Sequence, residues 1–162
     1  MIGMILAAGL GTRLRPLTDH LPKPAVPVAN RALVGFAVER LRDAGITSLR
    51  ANGHHLAPAM RDALRALDPG LCFFAEETLL GTGGGLYNAL RDADDEVVVI
   101  NGDVLFDVDL EAAIAAHRAN DAFATMVVRP DPRAEAMGAV RVSADGLVRV
   151  IAGKPDVRAE GT

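Results

Sequence analysis

A short apolar run at residues 2–6 ends abruptly in the glycine-rich string AAGLGTRLRPLT at residues 7–18. Apolar residues in such a short, continuous run predict a buried strand. Gly9 and Gly11 then allow a tight turn and a close approach of the backbone to a ligand. The sequence therefore predicts a ligand-binding turn directly after the first strand.

The same turn carries fixed positive charge. Arg13 and Arg15 lie within it, and Lys23 follows between two prolines in the string PKPAVPV. Arginine, lysine and turn backbone N–H groups together favour phosphate binding. Two common phosphate motifs are absent, however. Leu14 replaces the third glycine of a dinucleotide fingerprint, and no Gly-Lys-Ser/Thr string completes a Walker A loop.

Composition narrows the class of protein. The chain has 162 residues, of which 50% are hydrophobic, so it has enough material for one globular core. Its net charge of −4 argues against a general nucleic-acid surface. We therefore expect no nucleic-acid partner and a phosphate site that depends on local basic residues and a bound cation.

The cysteine content and the N-terminal region predict a cytoplasmic location. Cys72 is the single cysteine, and its position in the apolar string LCFF predicts packing in the core. One cysteine provides no disulfide framework, which fits a reducing compartment. The first apolar run has no basic segment before it, so it is not a signal peptide. No apolar run approaches membrane-spanning length, so we expect no membrane partner.

Strand and helix patterns alternate along the chain. The pattern predicts an α/β fold with three layers, a Rossmann-like and mostly parallel sheet, and a late antiparallel hairpin around Asp145-Gly146. The continuous apolar run at residues 97–100 predicts a central strand that is covered on both faces. Predicted strands lie at 2–6, 47–52, 71–75, 97–100 and 122–128, and predicted helices at 32–44, 56–67, 84–91 and 109–119.

A candidate metal ligand follows the strand at 97–100. Asp103 lies just past that strand in the string NGDVLFDVD, and ligands of open α/β sheets bind at the carboxyl ends of the strands. A carboxylate there suits Mg²⁺, which prefers oxygen ligands. Asp107 and Asp109 precede a predicted helix, so we interpret them as a capping residue and a charge favoured by the helix dipole.

A second glycine-rich string, LLGTGGGLYNAL, covers residues 79–90. Its glycines at 81, 83, 84 and 85 predict a loop whose backbone approaches a flat ligand, with the helix beginning near Gly84. His54 and His55 form a pair after the second strand. No other cysteine or histidine stands at metal-ligand spacing near them, so a surface feature at a helix start is favoured over a zinc site.

The string LAAGLGTRLRPLT followed by PKP resembles the signature of the sugar-1-phosphate nucleotidyltransferases. The resemblance continues in order through the second glycine-rich string, Asp103 and Lys154. Within this family, the sequence resembles the mannose-1-phosphate guanylyltransferase branch, and it is also similar to the N-acetylmuramate-1-phosphate uridylyltransferases. Family members usually continue further and carry a second metal-binding Asp. The resemblance therefore implies a nucleotidyltransferase domain over residues 1–162 that lacks its usual C-terminal part. The chain is then a truncated form, a half completed by another chain, or a protein that is not a competent enzyme.

The resemblance also implies a fold, a reaction and a set of site residues. The fold is that of the nucleotide-diphospho-sugar transferases, the substrates are an NTP and a sugar 1-phosphate, and the cofactor is Mg²⁺ on Asp103. Arg13 and Lys23 are the implied catalytic residues, and Gly138 and Lys154 bind the sugar phosphate. The implied nucleotide-binding residues are Leu6, Ala7, Ala8, Gly9, Gly11, Thr12, Arg13, Gly81, Thr82 and Gly83.

Two other functions stay open at this point. One is a non-catalytic regulatory module that binds a nucleotide or a nucleotide sugar. The other is a dinucleotide-binding oxidoreductase, which Leu14 disfavours. The sequence does not specify the base or the sugar, and it is compatible with a homo-oligomer.

Overall fold

The computed structural model describes residues 1–152, the side chains of Glu135 and Met137 excepted, and the backbone of residues 154–155. Its strands are β1 Ile2–Leu6, β2 Pro27–Val28, β3 Arg31–Ala32, β4 Ser48–Gly53, β5 Cys72–Ala75, β6 Val97–Asn101, β7 Val140–Val142, β8 Val148–Ile151 and β9 Lys154–Pro155. Its α-helices are α1 Leu33–Asp43, α2 Ala57–Leu67, α3 Gly81–Leu90, α4 Leu110–Ala119 and α5 Ala134–Met137.

The main sheet is parallel and has the order β5-β4-β1-β6. β1 lies between β4 and β6, and its Met4 and Ile5 side chains are completely buried. The chain moves from β1 outward to β4 and β5 and then returns to the other side of β1. Such a reversal of strand order marks the crevice where open α/β sheets bind ligands.

Helices cover both faces of this sheet. Successive side chains of a strand point to opposite faces. At the end of β4, a Cβ placed on Gly53 would lie 3.6 Å from Met60 of α2, whereas the side chain of the preceding residue, Asn52, lies against Gly85 of α3. The two helices therefore pack on opposite faces, which confirms the predicted three-layer α/β architecture.

The chain divides into two compact units, residues 1–112 and residues 113–162. The first unit holds the parallel sheet. The described part of the second contains α5 and the antiparallel strands β7, β8 and β9. The predicted hairpin at Asp145-Gly146 is confirmed, since Gly146 has a φ of 82° and the Ser143 N–H donates to the Leu147 carbonyl at 2.9 Å.

The strand predicted at residues 122–128 is wrong. These residues adopt no regular structure and pair with no strand of the described chain. Phe123 is fully exposed, and Val127 is 59% exposed. An apolar, β-branched segment becomes a strand only where a neighbouring strand accepts its backbone hydrogen bonds, and the sequence pattern does not show whether one is present.

Two burial predictions are also wrong. β6 pairs only with β1 among the described strands, so it lies at an edge of the sheet, and its Val99 is 44% exposed. Cys72 is exposed rather than buried, because β5 is the opposite edge strand. An apolar run indicates a strand, but its place in the sheet depends on pairing that the run does not encode.

The predicted helix at 109–119 is confirmed as α4, and its start has the predicted cap. The Ala112 N–H donates to the Asp109 carboxylate at 2.9 Å, which is an N-cap interaction. Asp107 instead pairs with Arg40 of α1 at 3.0 Å. None of the helices in the described part of the chain is long and apolar enough to span a membrane.

Candidate functional site

A cavity of about 340 Å³ lies at the carboxyl ends of the parallel strands. Leu6 ends β1 and is in register with Asn52 of β4 on one side and Asn101 of β6 on the other. Three strand ends therefore meet at one place. The cavity is lined by Leu6, Ala7, Ala8, Gly9, Lys23, Pro24, Asn52, Leu79, Gly81, Thr82, Asn101 and Asp103.

The first glycine-rich turn is held by its own neighbours. Gly11 has a φ of 65°, and a Cβ there would lie 3.0 Å from the Thr18 side chain and 3.1 Å from that of Lys23. The buried Thr18 hydroxyl donates to the Gly11 carbonyl at 2.9 Å. Glycine is therefore required at position 11 both for the left-handed backbone and for this close approach.

Lys23 and Asp103 meet inside the cavity. The Lys23 ammonium group forms an ion pair with the Asp103 carboxylate, and both side chains remain partly exposed, at 26% and 33%. Lys23 begins a short 3₁₀ turn, Lys23–Ala25, while Asp103 follows β6. The fold thus brings a cation and a carboxylate that are 80 positions apart in sequence to the same place.

Several of the predicted site residues do not line the cavity. Thr12 and Arg13 lie in an exposed 3₁₀ turn, Thr12–Leu14, beyond Gly11. Arg15, farther along, pairs with Asp19 at 3.2 Å. Gly83 is exposed on α3 and also lies outside the lining.

The prediction that residues 81–85 form a loop is wrong, because α3 begins at Gly81 and contains all four of these glycines. Gly81 has a φ of 71° and, with Thr82, lines the cavity. Gly85 is buried in the helix, where a Cβ would lie 2.8 Å from the Glu76 carboxylate and even closer to the Asn52 amide. The low helix propensity of glycine is here outweighed by packing that no larger residue permits.

The sequence analysis missed Asn52, which lines the cavity, and Glu76, which is hydrogen-bonded to it. The Ala7 N–H donates to Asn52 Oδ1 at 2.9 Å, and Asn52 Nδ2 donates to Glu76 Oε1 at 2.7 Å. The Leu80 N–H donates to Glu76 Oε2 at 3.0 Å. Both side chains are buried. One signal was available, since Asn52, Glu76 and Asn101 are polar residues at or just past the ends of predicted parallel strands.

The two histidines form hydrogen bonds to backbone carbonyl groups of other segments. His54 Nδ1 donates to the Glu76 carbonyl at 2.9 Å, and His55 Nε2 donates to the Thr18 carbonyl at 2.7 Å. Among the described residues, no group of three or more His, Cys, Asp or Glu side chains is placed to hold a metal ion. His55 therefore connects the end of β4 to the first glycine-rich turn.

The predicted sugar-phosphate residues belong to the second unit. Gly138 has a φ of 89° and ends α5 immediately before the β7 hairpin. A Cβ on Gly138 would lie 3.3 Å from the side chain of Ala152. The backbone of Lys154 pairs with Ile151, and the Lys154 side chain lies outside the described residues.

A family model described as nucleotidyl transferase matches residues 2–161. The chain belongs to this nucleotidyl transferase family. It is 32% identical to a UTP–glucose-1-phosphate uridylyltransferase of Synechocystis, over 97% of the chain and 45% of that protein. It is 42% identical to an N-acetylmuramate α-1-phosphate uridylyltransferase of Neisseria meningitidis, over 70% of the chain and 51% of that protein. The chain thus spans about half the length of these curated relatives.

A solved structure supports the fold assignment. HddC from Yersinia pseudotuberculosis, in complex with GMP-PN, superposes with a TM-score of 0.73 at 26% identity. The superposition covers 96% of this chain and 70% of HddC. The expected nucleotide-diphospho-sugar transferase fold is confirmed.

Proposed function

We propose that this chain supplies the nucleotide-binding part of an enzyme that transfers NMP from an NTP to a sugar 1-phosphate. The observation that carries the proposal is the meeting of Lys23 and Asp103 in a cavity lined by two glycine-rich segments. Family membership and the names of the relatives support the substrate classes.

The reaction is an in-line displacement at the α-phosphorus of the NTP. A phosphate oxygen of the sugar 1-phosphate forms the new P–O bond, the bond to the β-phosphate breaks, and pyrophosphate leaves with the electron pair. The attacking phosphate is already ionised at neutral pH, so no protein base is required. Positioning and charge stabilisation supply the catalysis.

Each proposed residue has a defined task in this displacement. Lys23 holds the α-phosphate and the attacking phosphate, and Arg13 holds the β- and γ-phosphates. Gly81 and Thr82 at the start of α3 contact the nucleoside. Gly138 and Lys154 hold the sugar phosphate. Leu6, Ala7, Ala8, Gly9, Gly11, Thr12 and Gly83 complete the proposed nucleotide site.

Asp103 is the proposed ligand for Mg²⁺. A single carboxylate beside the cavity fits this ion, which is commonly held by one or two carboxylates together with substrate phosphates and water. When bound, the ion supplies positive charge that stabilises the phosphate oxygens. Asp103 itself orients Lys23 through the ion pair until a substrate phosphate takes over that interaction.

The test combines ligand binding with turnover in the full-length protein. A thermal-shift panel would contain GTP, UTP, dTTP, CTP, NAD and nucleotide sugars, and a coupled assay would measure pyrophosphate release with several sugar 1-phosphates. We expect stabilisation by one NTP, by about 3 kcal/mol at a hundredfold excess over Kd, and release of pyrophosphate. Binding of a nucleotide or nucleotide sugar without pyrophosphate release would favour the non-catalytic regulatory module. Stabilisation by NAD alone would favour the oxidoreductase.

A further inference from the structure

A buried amide and a buried carboxylate connect the two glycine-rich segments. Asn52 is 2% exposed and accepts the Ala7 N–H, while Glu76 is 5% exposed and accepts the Leu80 N–H. Asn52 Nδ2 joins the two by donating to Glu76 Oε1 at 2.7 Å. Ala7 and the residues on either side of Leu80 line the cavity, so the chain of hydrogen bonds runs from one side of the cavity to the other.

The backbone of Glu76 is fixed as firmly as its side chain. Its N–H donates to the Gly53 carbonyl at 2.8 Å, and its carbonyl accepts from His54 Nδ1 at 2.9 Å. Glu76 is therefore anchored to the end of β4, and its carboxylate transmits that position to the start of α3. The absence of a Cβ on Gly85 leaves the space that the Asn52–Glu76 contact occupies.

We propose that Asn52 and Glu76 are a positioning pair that sets the spacing between the first glycine-rich turn and the start of α3 for nucleotide binding. This inference rests on the proposed nucleotide site. The pair acts through both segments of the backbone and requires no contact with the reacting atoms.

The direction of the hydrogen bonds makes the pair specific. The Ala7 and Leu80 N–H groups only donate, so both outer positions of the pair must accept. Asn52 then presents its NH₂ to Glu76, and both Glu76 oxygens must accept, which a glutamine does not provide. Conversely, an aspartate at position 52 places two carboxylate oxygens against each other.

Exchanging the two groups restores the pattern. In the double variant Asn52→Asp/Glu76→Gln, the aspartate accepts from Ala7 and from the glutamine NH₂, and the glutamine oxygen accepts from Leu80. Side-chain lengths, net charge and the number of hydrogen bonds are kept. Each single variant contains one buried mismatch, and the double variant contains none.

The experiment compares Glu76→Gln, Asn52→Asp, the double variant and the wild type in the full-length protein. Glu77→Gln, at the exposed neighbouring position, is the matched control. Circular dichroism establishes a temperature at which each variant is folded. There, titrations give the Kd of the NTP that stabilises the wild type most and the Kd of inorganic triphosphate, which probes the phosphate contacts alone.

We expect each single variant to weaken NTP binding at least about tenfold while changing the Kd of triphosphate less than about twofold. The double variant regains NTP affinity to within about fivefold of the wild type, and the control equals the wild type. A purely structural role predicts wild-type NTP affinity in the folded single variants, and that result overturns the proposal.

If a single variant does not fold, the behaviour of the double variant tests the proposed positioning pair. Recovery of folding and NTP binding supports the pair, whereas a double variant no better than the singles overturns it. A wild type that binds no NTP contradicts the proposed function itself, which separates the two failures.

Discussion

At the scale of single residues, the ion pair between Lys23 and Asp103 is the central feature of the cavity. Lys23 carries the positive charge that attracts a nucleotide phosphate, and Asp103 carries the negative charge that attracts a divalent cation. In the proposed site, Lys23 binds a nucleotide phosphate and Asp103 binds a divalent cation, so substituting each residue tests one of these two interactions.

Replacing Lys23 with alanine tests the phosphate side of the pair. We expect Lys23→Ala in the full-length protein to lower kcat more than about tenfold, a loss of at least ~1.4 kcal/mol, because the proposed role of the ammonium group is to stabilise charge that develops in the transition state. Steady-state pyrophosphate release measures it. Arg61→Ala, on an exposed position of α2, is the control. Full activity of Lys23→Ala contradicts the assignment.

Replacing Asp103 with asparagine tests the metal side. Asp103→Asn keeps the side-chain size but removes the charge, so turnover with Mg²⁺ falls at least about a hundredfold. Binding of NTP in the presence of EDTA is not weakened, since a negative charge next to the phosphates has been removed. The control Asp107→Asn removes an exposed carboxylate, and we expect it to leave turnover with Mg²⁺ and NTP binding with EDTA unchanged. Titrations of NTP in the presence of Mg²⁺ and in the presence of EDTA compare the two conditions. If Asp103→Asn weakens NTP binding equally in both, the result contradicts a metal-binding role for Asp103.

At the scale of elements, helix ends show which local signals act as the sequence suggests. Asp109 caps α4 as its position predicts. The carboxyl end of α3 is held from outside the helix, because Arg50 of β4 donates to the Ala89 carbonyl at 2.6 Å and pairs with Asp92. The start of α4 is therefore stabilised by a local contact, and the end of α3 is stabilised by a tertiary contact.

The cap of α4 has a measurable effect on stability. Asp109→Ala removes the acceptor for the Ala112 N–H, so we expect the free energy of unfolding to fall by about 1 kcal/mol. Asp107→Ala is the matched control, because within the described part of the chain that carboxylate forms an exposed pair with Arg40, and its loss leaves stability within error. Urea unfolding followed by circular dichroism measures both. An equal loss in the two variants would indicate a general charge effect instead.

The contact at the end of α3 depends on pH. The hydrogen bond from Arg50 lowers the pKa of Asp92 below its ordinary value of 3.8. Because the folded pKa is depressed, the stabilisation is present above 3.8 and is lost as pH falls through the folded pKa. Asp92→Asn is therefore less stable than the wild type at about pH 7, and the difference shrinks as pH falls below 3.8 through the folded pKa.

Urea unfolding at several pH values follows this difference. Asp94→Asn, two residues further along, controls for the loss of an exposed charge. A difference between Asp92→Asn and the wild type that stays constant with pH would exclude titration of Asp92 as its cause.

At the scale of the whole molecule, the parallel sheet and the cavity belong to the first unit, while the β7–β8 hairpin with Gly138 belongs to the second. The proposed nucleotide-binding residues therefore belong to the first unit, and the proposed sugar-phosphate residues, Gly138 and Lys154, belong to the second. Residues 122–128, without regular structure, begin just after α4.

Limited proteolysis reports on this organisation. Chymotrypsin should cut first after Phe123, because this side chain is fully exposed in an irregular segment, whereas Phe73 and Phe74 are partly buried in β5. Mass spectrometry of early fragments identifies the site, and Phe123→Ala removes the cut. First cleavage within β5 would show that the sheet opens more easily than the segment.

The sequence by itself determined the local features of this protein. Apolar runs and amphipathic periods predict the strands and helices of the first unit, because these patterns reflect one-sided or complete burial of each element. Residue type and strand-end position predict phosphate chemistry for the glycine-rich turn with Lys23 and metal binding for Asp103, and both roles stay predictions.

Only the tertiary structure decided which elements became neighbours. Among the described strands, it placed β6 and Cys72 at sheet edges and gave residues 122–128 no partner, and it extended α3 through glycines that propensity assigns to a loop. It also joined Asn52 to Glu76 and Lys23 to Asp103. The physical reason is that hydrogen-bond partners and close packing are supplied by residues distant in sequence, and a local pattern carries no information about their arrangement.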